Sequence, residues 1–355
     1  MPPNRRHYDE SDIRVRPSRR GSRPRSKDRP SHDDAIEGFV IAVDRGRWTC
    51  LVAAGVGGDD LPERTVIAMR ARELGRKAII LGDRVGIVGD VSGRPDTLAR
   101  IVRVEPRATM LRRSADDTDT VERPIVANAD QLVIVTALAN PEPRPRMIDR
   151  CLVAAYDAGL EPLLVLTKAD LVDPTAFIAN YAPLDVPYVV TTNQGEEDDA
   201  FDGLEDVRAR LTGRVSVLVG HSGVGKSTLV NALVPSADRA TGHVNDVTGR
   251  GRHTSTSAVA LPLSDGGWVI DTPGVRSFGL GHVDPDHIVT HFPDLAPGAE
   301  VCPRGCSHDE DDCALDAWVA AGKAGTAGLS RLESLRRLLR ARTAPTGHGG
   351  HRDDD

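Results

Sequence analysis

The chain has 355 residues, 39% of them hydrophobic and 3% aromatic, which suffices for two or three domains with cores of Val, Leu, Ile and Ala. The net charge is −7, yet residues 1–30 hold ten Lys/Arg against four acids, a local +6 that leaves −13 for the rest. That acidic body argues against a general nucleic-acid coat and leaves nucleic-acid contact to local basic patches, and the lack of any apolar run near ~20 residues excludes a membrane-spanning helix.

Residues 1–35 are Arg, Ser, Pro and Asp with almost no apolar content. They are expected to form a disordered basic tail, either solvated or touching RNA. The tail has no apolar h-region, so no secretory signal is expected and a cytoplasmic, membrane-free protein is. From Ile36 to Pro106, IEGFVIAV, WTCLVAAG, RTVIAMR, DRVGIVGDV and LARIVRV read as five short strands, the first two joined as a hairpin by DRGR. Five such strands predict a small barrel, an OB-fold over 36–106. Residues 107–125 are polar and irregular and read as a linker.

From Val126 strands alternate with helices: QLVIVTAL, RMIDRCLVAAYDAG, PLLVLTKAD, VPYVVTT, GLEDVRARL, RVSVLVG and WVIDTPG. That alternation predicts a parallel α/β domain over 126–281, whose ligands bind at the carboxyl ends of strands. Three strands end in TKAD, GHSGVGKST and DTPG. A smaller Cys/His-bearing region follows over 282–345 and closes with the helix GLSRLESLRRLLRAR. Leu329, Leu332, Leu335, Leu338 and Leu339 form its apolar stripe, and Arg331, Arg336, Arg337, Arg340 and Arg342 its other face. The face offers a candidate RNA surface, as does the barrel. Residues 346–355 are expected to be a disordered tail.

GHSGVGKST follows a β-run and opens a helical segment, the context that the phosphate-binding G-x-x-x-x-G-K-S loop requires. Gly220, His221, Ser222, Gly223, Val224, Gly225, Lys226, Ser227 and Thr228 would wrap phosphate oxygens with backbone N–H groups. Lys226 would reach the β- and γ-phosphates, and Ser227 would ligate Mg²⁺. In DTPG, Asp271 is placed to hold Mg²⁺ through water and Gly274 to sense the γ-phosphate through its N–H. In TKAD, Asp170 can accept from both N–H groups on the guanine edge, a pair adenine lacks, and Lys168 would lie along the base. Thr167 stands where Asn is usual, and its hydroxyl can replace only part of an amide's bonding.

GRGRHTSTSA, between the phosphate loop and DTPG, reads as a mobile switch in which Thr254 or Thr256 completes the Mg²⁺ shell. Val275 follows DTPG where many GTPases carry a water-orienting Gln. Valine cannot hydrogen-bond water, so slow intrinsic hydrolysis is expected; His253 and His221 are alternative candidates or bystanders. TKAD precedes the phosphate loop, the reverse of the ordinary order, which implies a circular permutation that joins the second switch directly to the C-terminal region.

Cys302, Cys306, His308 and Cys313 offer three thiolates and an imidazole, a set suited to one closed tetrahedral zinc site per chain. Cys50 and Cys151 sit in apolar runs and read as core.

With GDRV, VANADQLVIVTAL, TKAD, GHSGVGKSTLVNAL, GRHTST, DTPGVRSFGL and the Cys/His cluster, residues 36–345 resemble the RsgA (YjeQ) family. The resemblance implies a circularly permuted P-loop GTPase domain flanked by an N-terminal OB-fold barrel and a C-terminal zinc-binding domain. It implies GTP hydrolysis with Mg²⁺, stimulated by the small ribosomal subunit during its late maturation, with rRNA, GTP and GDP as partners and a monomeric chain. The sequence departs from the family at Thr167 and in Cys–Cys and His–Cys gaps one residue shorter. The competing readings are an RNA-binding assembly chaperone whose turnover is incidental, and a permuted GTPase serving the large subunit, which the barrel and the Cys₃His set argue against. Asp170 argues against an ATPase.

Overall fold

Alternating apolar residues build the first five strands, β1 (Ile36–Asp44), β2 (Arg47–Val52), β3 (Arg64–Arg70), β4 (Arg84–Gly89) and β5 (Ala99–Val104). Their order, β1-β2-β3-β5-β4, closes back onto β1 as a barrel, with β3–β5 the parallel contact. Val40, Cys50, Val66, Val85, Ile87 and Ile101 fill it and are wholly shielded from solvent. The Trp48 ring N–H, carried into that core, donates to the Ile79 carbonyl at 3.0 Å. The described residues of the computed structural model are 32–44, 46–75, 78–113, 123–193, 201–235, 258–272, 278, 280 and 283–343. The chain divides into Met1–Asp33 and Asp34–Asp355, and every element named here lies in the second unit.

The segment 107–125, expected as an irregular linker, contains β6 (Met110–Arg113) and the start of β7 (Arg123–Ala127), which pair antiparallel. The hairpin is anchored to the barrel by ionic and backbone contacts. Asp83 of GDRV is fully buried, and Arg107 neutralises it through two hydrogen bonds of 2.7 and 2.9 Å. A buried carboxylate without such a partner would cost several kcal/mol, on the order of 3–5. The Asn128 amide accepts from Ala108 N at 2.9 Å and donates to the Gly82 carbonyl at 2.8 Å. Gly82 must be glycine, because a Cβ there would lie 1.9 Å from the Ala127 carbonyl oxygen. GDRV and VANAD are thus the two halves of one joint between barrel and α/β layer.

The α/β layer follows as β8 (Gln131–Ala137), α1 (Pro145–Asp157), β9 (Glu161–Thr167), α2 (Thr175–Tyr181), β10 (Tyr188–Val190), β11 (Thr192–Asn193), β12 (Phe201–Asp202), α3 (Leu204–Leu211), β13 (Val215–Gly220), α4 (Lys226–Leu233), β14 (Val259–Pro262) and β15 (Trp268–Asp271). The sheet runs β10-β9-β8-β13-β15-β14, parallel except for the β14 edge. All seven residues of β8 are buried, as expected of a parallel strand covered on both faces. Its partners on one face are Ile148 and Leu152 of α1, and on the other Val207 and Leu211 of α3 with Leu229 and Leu233 of α4. Each such buried side chain contributes roughly 1.5–3 kcal/mol of apolar transfer. β14 also bridges to β1 at Ala42–Val259, so barrel and α/β sheet form one hydrogen-bonded sheet of eleven strands.

The C-terminal part adds α5 (Pro285–Val289), α6 (Ala296–Ala299), α7 (Ala314–Ala320) and α8 (Gly328–Thr343). α8 packs on α1, α5 and α7. Leu332, Leu335, Leu338 and Leu339 are at most 4% exposed, but Leu329, counted in the same stripe, is 64% exposed. The arginine face also differs from expectation. Arg331 binds Asp294 at 2.6 Å, Arg336 binds Asp316 at 2.6 Å, Arg337 meets Asp149 at 3.2 Å and Arg340 binds Asp309 at 2.6 Å. Each of these four cations therefore has a carboxylate partner within the molecule. Among the described residues no helix is long and apolar enough to cross a membrane.

Candidate nucleotide site and metal centre

The parallel sheet delivers the motif residues to one edge. β13 ends at Gly220, its neighbour β15 ends at Asp271, and β9 ends at Thr167 on the far side of β8. The loop from Gly220 turns into α4 with Gly223 and Gly225 at φ of 83° and 89°, a conformation open to glycine but strained for other residues. A cavity of about 500 Å³ lies over it, lined by Lys168, Gly220, His221, Ser222, Gly223, Gly225, Lys226, Ser227, Thr228 and Thr272. Its size and its ring of backbone N–H groups at a helix start suit a polyphosphate.

Lys226 forms an ion pair with Asp271, its side chain 15% exposed and that of Asp271 29%. Thr272, a residue the motif reading passed over although it is the T of DTPG, is buried and donates to the Leu218 carbonyl at 2.9 Å. It fixes the strand end that presents Asp271. Val224 lies beneath the loop, 3% exposed.

Thr167 does more than its short side chain promised. Its hydroxyl donates to the Val224 carbonyl at 2.6 Å, inside the phosphate loop. Lys168, at φ 59°, donates to the Gly223 carbonyl at 2.9 Å and to the Asn140 carbonyl. TKAD is therefore bound to the phosphate loop at two consecutive residues. Asn140 had no signal beyond its place in the turn NPEP. Asp170 is exposed, beyond the residues that line the cavity. Thr167→Val keeps the shape and deletes the hydroxyl, leaving the buried Val224 carbonyl without this donor. We expect a loss of about 1–3 kcal/mol, read by denaturant unfolding, with weaker nucleotide binding. An unchanged midpoint and affinity would show that the bond contributes nothing. His253, Thr254, Thr256, Gly274 and Val275 lie outside the described residues.

The metal-ligand candidates Cys302, Cys306, His308 and Cys313 converge, with ligand atoms all within 4.8 Å of one another. The Cys302 and Cys313 sulfurs are 3.8 Å apart, and His308 Nδ1 is 3.9 Å from Cys313 Sγ. A tetrahedral ion with Zn–S bonds of about 2.3 Å separates two thiolates by about 3.8 Å. His308 is 1% exposed, and its Nε2 meets Asp286 Oδ1 at 2.9 Å. That leaves Nδ1 for the ion, with a carboxylate orienting the ring as metal-binding imidazoles require. Asp286 carries no sequence signal because it lies 22 positions away, in α5, whereas His308 lies in a loop. Burial raises all three thiols, Cys306 to about 11. The donor set fits zinc, which would reverse that shift by stabilising thiolates.

A family model described as RsgA GTPase matches residues 104–281. The chain is 42% identical over 247 residues to "Small ribosomal subunit biogenesis GTPase RsgA" of Pseudomonas syringae pv. tomato, a match spanning 67% of this chain and 68% of that one. It is 37% identical over 295 residues to the protein of the same name from Gemmatimonas aurantiaca, covering 80% and 91%. Among solved structures, YjeQ from Thermotoga maritima is similar with a TM-score of 0.60 and 26% identity, over 87% of this chain and 99% of that one. The likeness therefore runs from the barrel through the permuted sheet to the C-terminal helices, and on the extent and identity of these matches the chain belongs to the RsgA GTPase family.

Proposed function

We propose that this protein is an Mg²⁺-dependent GTPase that binds the small ribosomal subunit and acts late in its maturation, with hydrolysis stimulated by the subunit. The observation that carries the reading is the bonding of TKAD to the phosphate loop through Thr167 and Lys168. A base-reading segment and a phosphate-holding loop so connected make a site for a guanine nucleotide. The relatives named for biogenesis of the small subunit supply the partner.

In this reading Lys226 bears on the β- and γ-phosphates. Ser227 would ligate Mg²⁺ and Asp271 would hold it through water. Gly274 and one of Thr254 or Thr256 respond to the γ-phosphate. Asp170, with Lys168 beside it, reads the base. Mg²⁺ would supply charge neutralisation to the phosphates when GTP is bound. One zinc ion is held by Cys302, Cys306, His308 and Cys313. The chain works as a cytoplasmic monomer, as a barrel (36–106), a GTPase domain (126–281) and a zinc domain (282–345), with rRNA among its contacts. With four of the five arginines of α8 paired to carboxylates of the same chain, the barrel is the stronger candidate for that contact.

Val275 leaves the attacking water without a side-chain partner next to DTPG, so hydrolysis by the isolated protein is expected to be slow and to rise when the subunit completes the site. Steady-state GTP turnover against a titration of purified small and large subunits is the test. A rate unmoved by small subunits, or raised equally by large ones, defeats the ribosomal reading and leaves the GTPase assignment in place. Lys226→Ala is expected to cut stimulated turnover by roughly 10²–10³-fold, the effect of removing one preorganised charge from a developing oxyanion. Subunit binding by the same variant, measured by co-sedimentation, should be preserved. Turnover within threefold of the parent would take Lys226 out of the mechanism.

A further inference from the structure

Arg150 is an arginine 5% exposed, in the middle of α1, and among the described residues it lines neither the nucleotide cavity nor the metal centre. A buried guanidinium is costly unless its donors are met, and here they are met by two backbone carbonyls far apart in the chain. Nε donates to the Phe278 carbonyl at 3.1 Å, Nη2 to the same oxygen at 2.5 Å, and Nη1 to the Ala341 carbonyl at 2.8 Å. Phe278 is 1% exposed and stands seven residues after Asp271, the carboxylate paired with Lys226. Ala341 lies in the last turn of α8, where helical carbonyls lack intrahelical partners and the dipole favours a cation.

The neighbouring residue reaches the same helix. Asp149 is 3% exposed and meets Arg337 of α8 at 3.2 Å. Adjacent residues of α1 thus grip α8 about one turn apart, one by a carboxylate and one by a guanidinium. From α8 the chain of contacts continues to the metal loop, since Arg336 donates to the His308 carbonyl at 3.0 Å and Arg340 binds Asp309 at 2.6 Å. Only the planar fork of an arginine meets both carbonyls with geometry of this kind; the single ammonium of lysine does not.

We propose that Arg150 is a positioning residue that fastens the chain leaving DTPG, at Phe278, to the end of α8, so that the nucleotide bound beside Asp271 is felt by the helix whose Arg336 and Arg340 hold the metal loop. The inference deepens the functional reading and rests on its nucleotide site, but not on the ribosomal partner. It predicts that α8 reports which nucleotide is bound, and that Arg150 is required for the report.

The test is amide hydrogen exchange of Gly328–Thr343 in the full-length zinc-loaded protein, with GDP and with a non-hydrolysable GTP analogue. The parent should show different protection in the two states in the last turns of α8. Arg150→Lys keeps the charge and should exchange roughly tenfold to a hundredfold faster there, as follows from losing one hydrogen bond to a charged group. Its rates should be the same with both nucleotides. Fluorescent GDP affinity and zinc content should stay at parental values, because among the described residues Arg150 belongs neither to the lining of the nucleotide cavity nor to the metal centre. Arg150→Gln, which leaves no buried charge, is the second variant should the lysine fail to fold, with the same expected loss of nucleotide dependence. A parent whose α8 protection is identical in both states overturns the proposal. So does a variant that keeps the parental difference. Neither result bears on stimulation by subunits, which the turnover titration measures separately.

Discussion

Asp170→Asn is expected to weaken GTP binding by roughly 10⁴-fold, the discrimination available to a site whose polar partners are left mispaired. The carboxylate accepts from the ring N–H and the exocyclic amine of guanine. An asparagine in its place accepts from one and turns an N–H toward the other, which repels the amine. Xanthine carries a carbonyl where guanine has that amine, so the variant should bind xanthosine triphosphate instead. The structure explains why the switch should be clean. The Thr167–Val224 and Lys168–Gly223 bonds fix the end of β9 to the phosphate loop without involving the Asp170 side chain. The substitution therefore leaves the phosphate side, with Lys226 and Asp271, as it was. Hydrolysis of xanthosine triphosphate by the variant, stimulated to the parental degree, is the full expected result. A variant that binds GTP as the parent does would show that TKAD is not the base-reading box.

What the sequence made legible is what local pattern encodes. β8 reads as a strand because seven residues in a row, QLVIVTA, are buried on both faces, and the phosphate loop reads from its glycines and its flanking strand and helix. The Cys₃His set reads because its members lie within twelve positions. What stayed hidden depends on partners distant in the chain. Arg331, Arg336, Arg337 and Arg340 show their charge but not that Asp294, Asp316, Asp149 and Asp309, from four separate segments, pair with them. Residues 110–113 and 123–127 are short, rich in arginine and interrupted by Pro124, so no periodicity announces the β6–β7 hairpin. At Thr167 the sequence shows only that a hydroxyl has fewer bonding groups than an amide. What counted was its placement 2.6 Å from one carbonyl of the phosphate loop.

Cys306→Ser is expected to abolish zinc binding and unfold the metal loop together with α7, while nucleotide still binds. The loop from Val301 to Asp312 contributes little to the core: Val301 is 72% exposed, and within the loop only His308 is fully buried. Its inward anchors are the Cys/His cluster and two arginines of α8, Arg336 on the His308 carbonyl and Arg340 on Asp309. Structural zinc contributes on the order of 10–16 kcal/mol in finger-sized peptides, as much as the whole stability of a typical domain, about 5–15 kcal/mol. Those arginine contacts, in part solvent-exposed, cannot replace it. A serine hydroxyl is a poor substitute, since zinc prefers thiolate over a neutral oxygen donor. α8 should stay docked through Leu332, Leu335, Leu338 and Leu339, so the damage should be local: lost protection in 301–320, with α1 and the sheet intact. The pH dependence has a definite sign. Burial raises the metal-free thiols above their usual range, so each must release a proton when zinc binds. Lower pH therefore favours the metal-free form, and chelators should strip the parent more readily at pH 6 than at pH 8. Elemental analysis should find one zinc per parental chain and none in Cys306→Ser. Parent protein purified fresh without zinc, or a variant that retains it, would show that these four residues do not form the site.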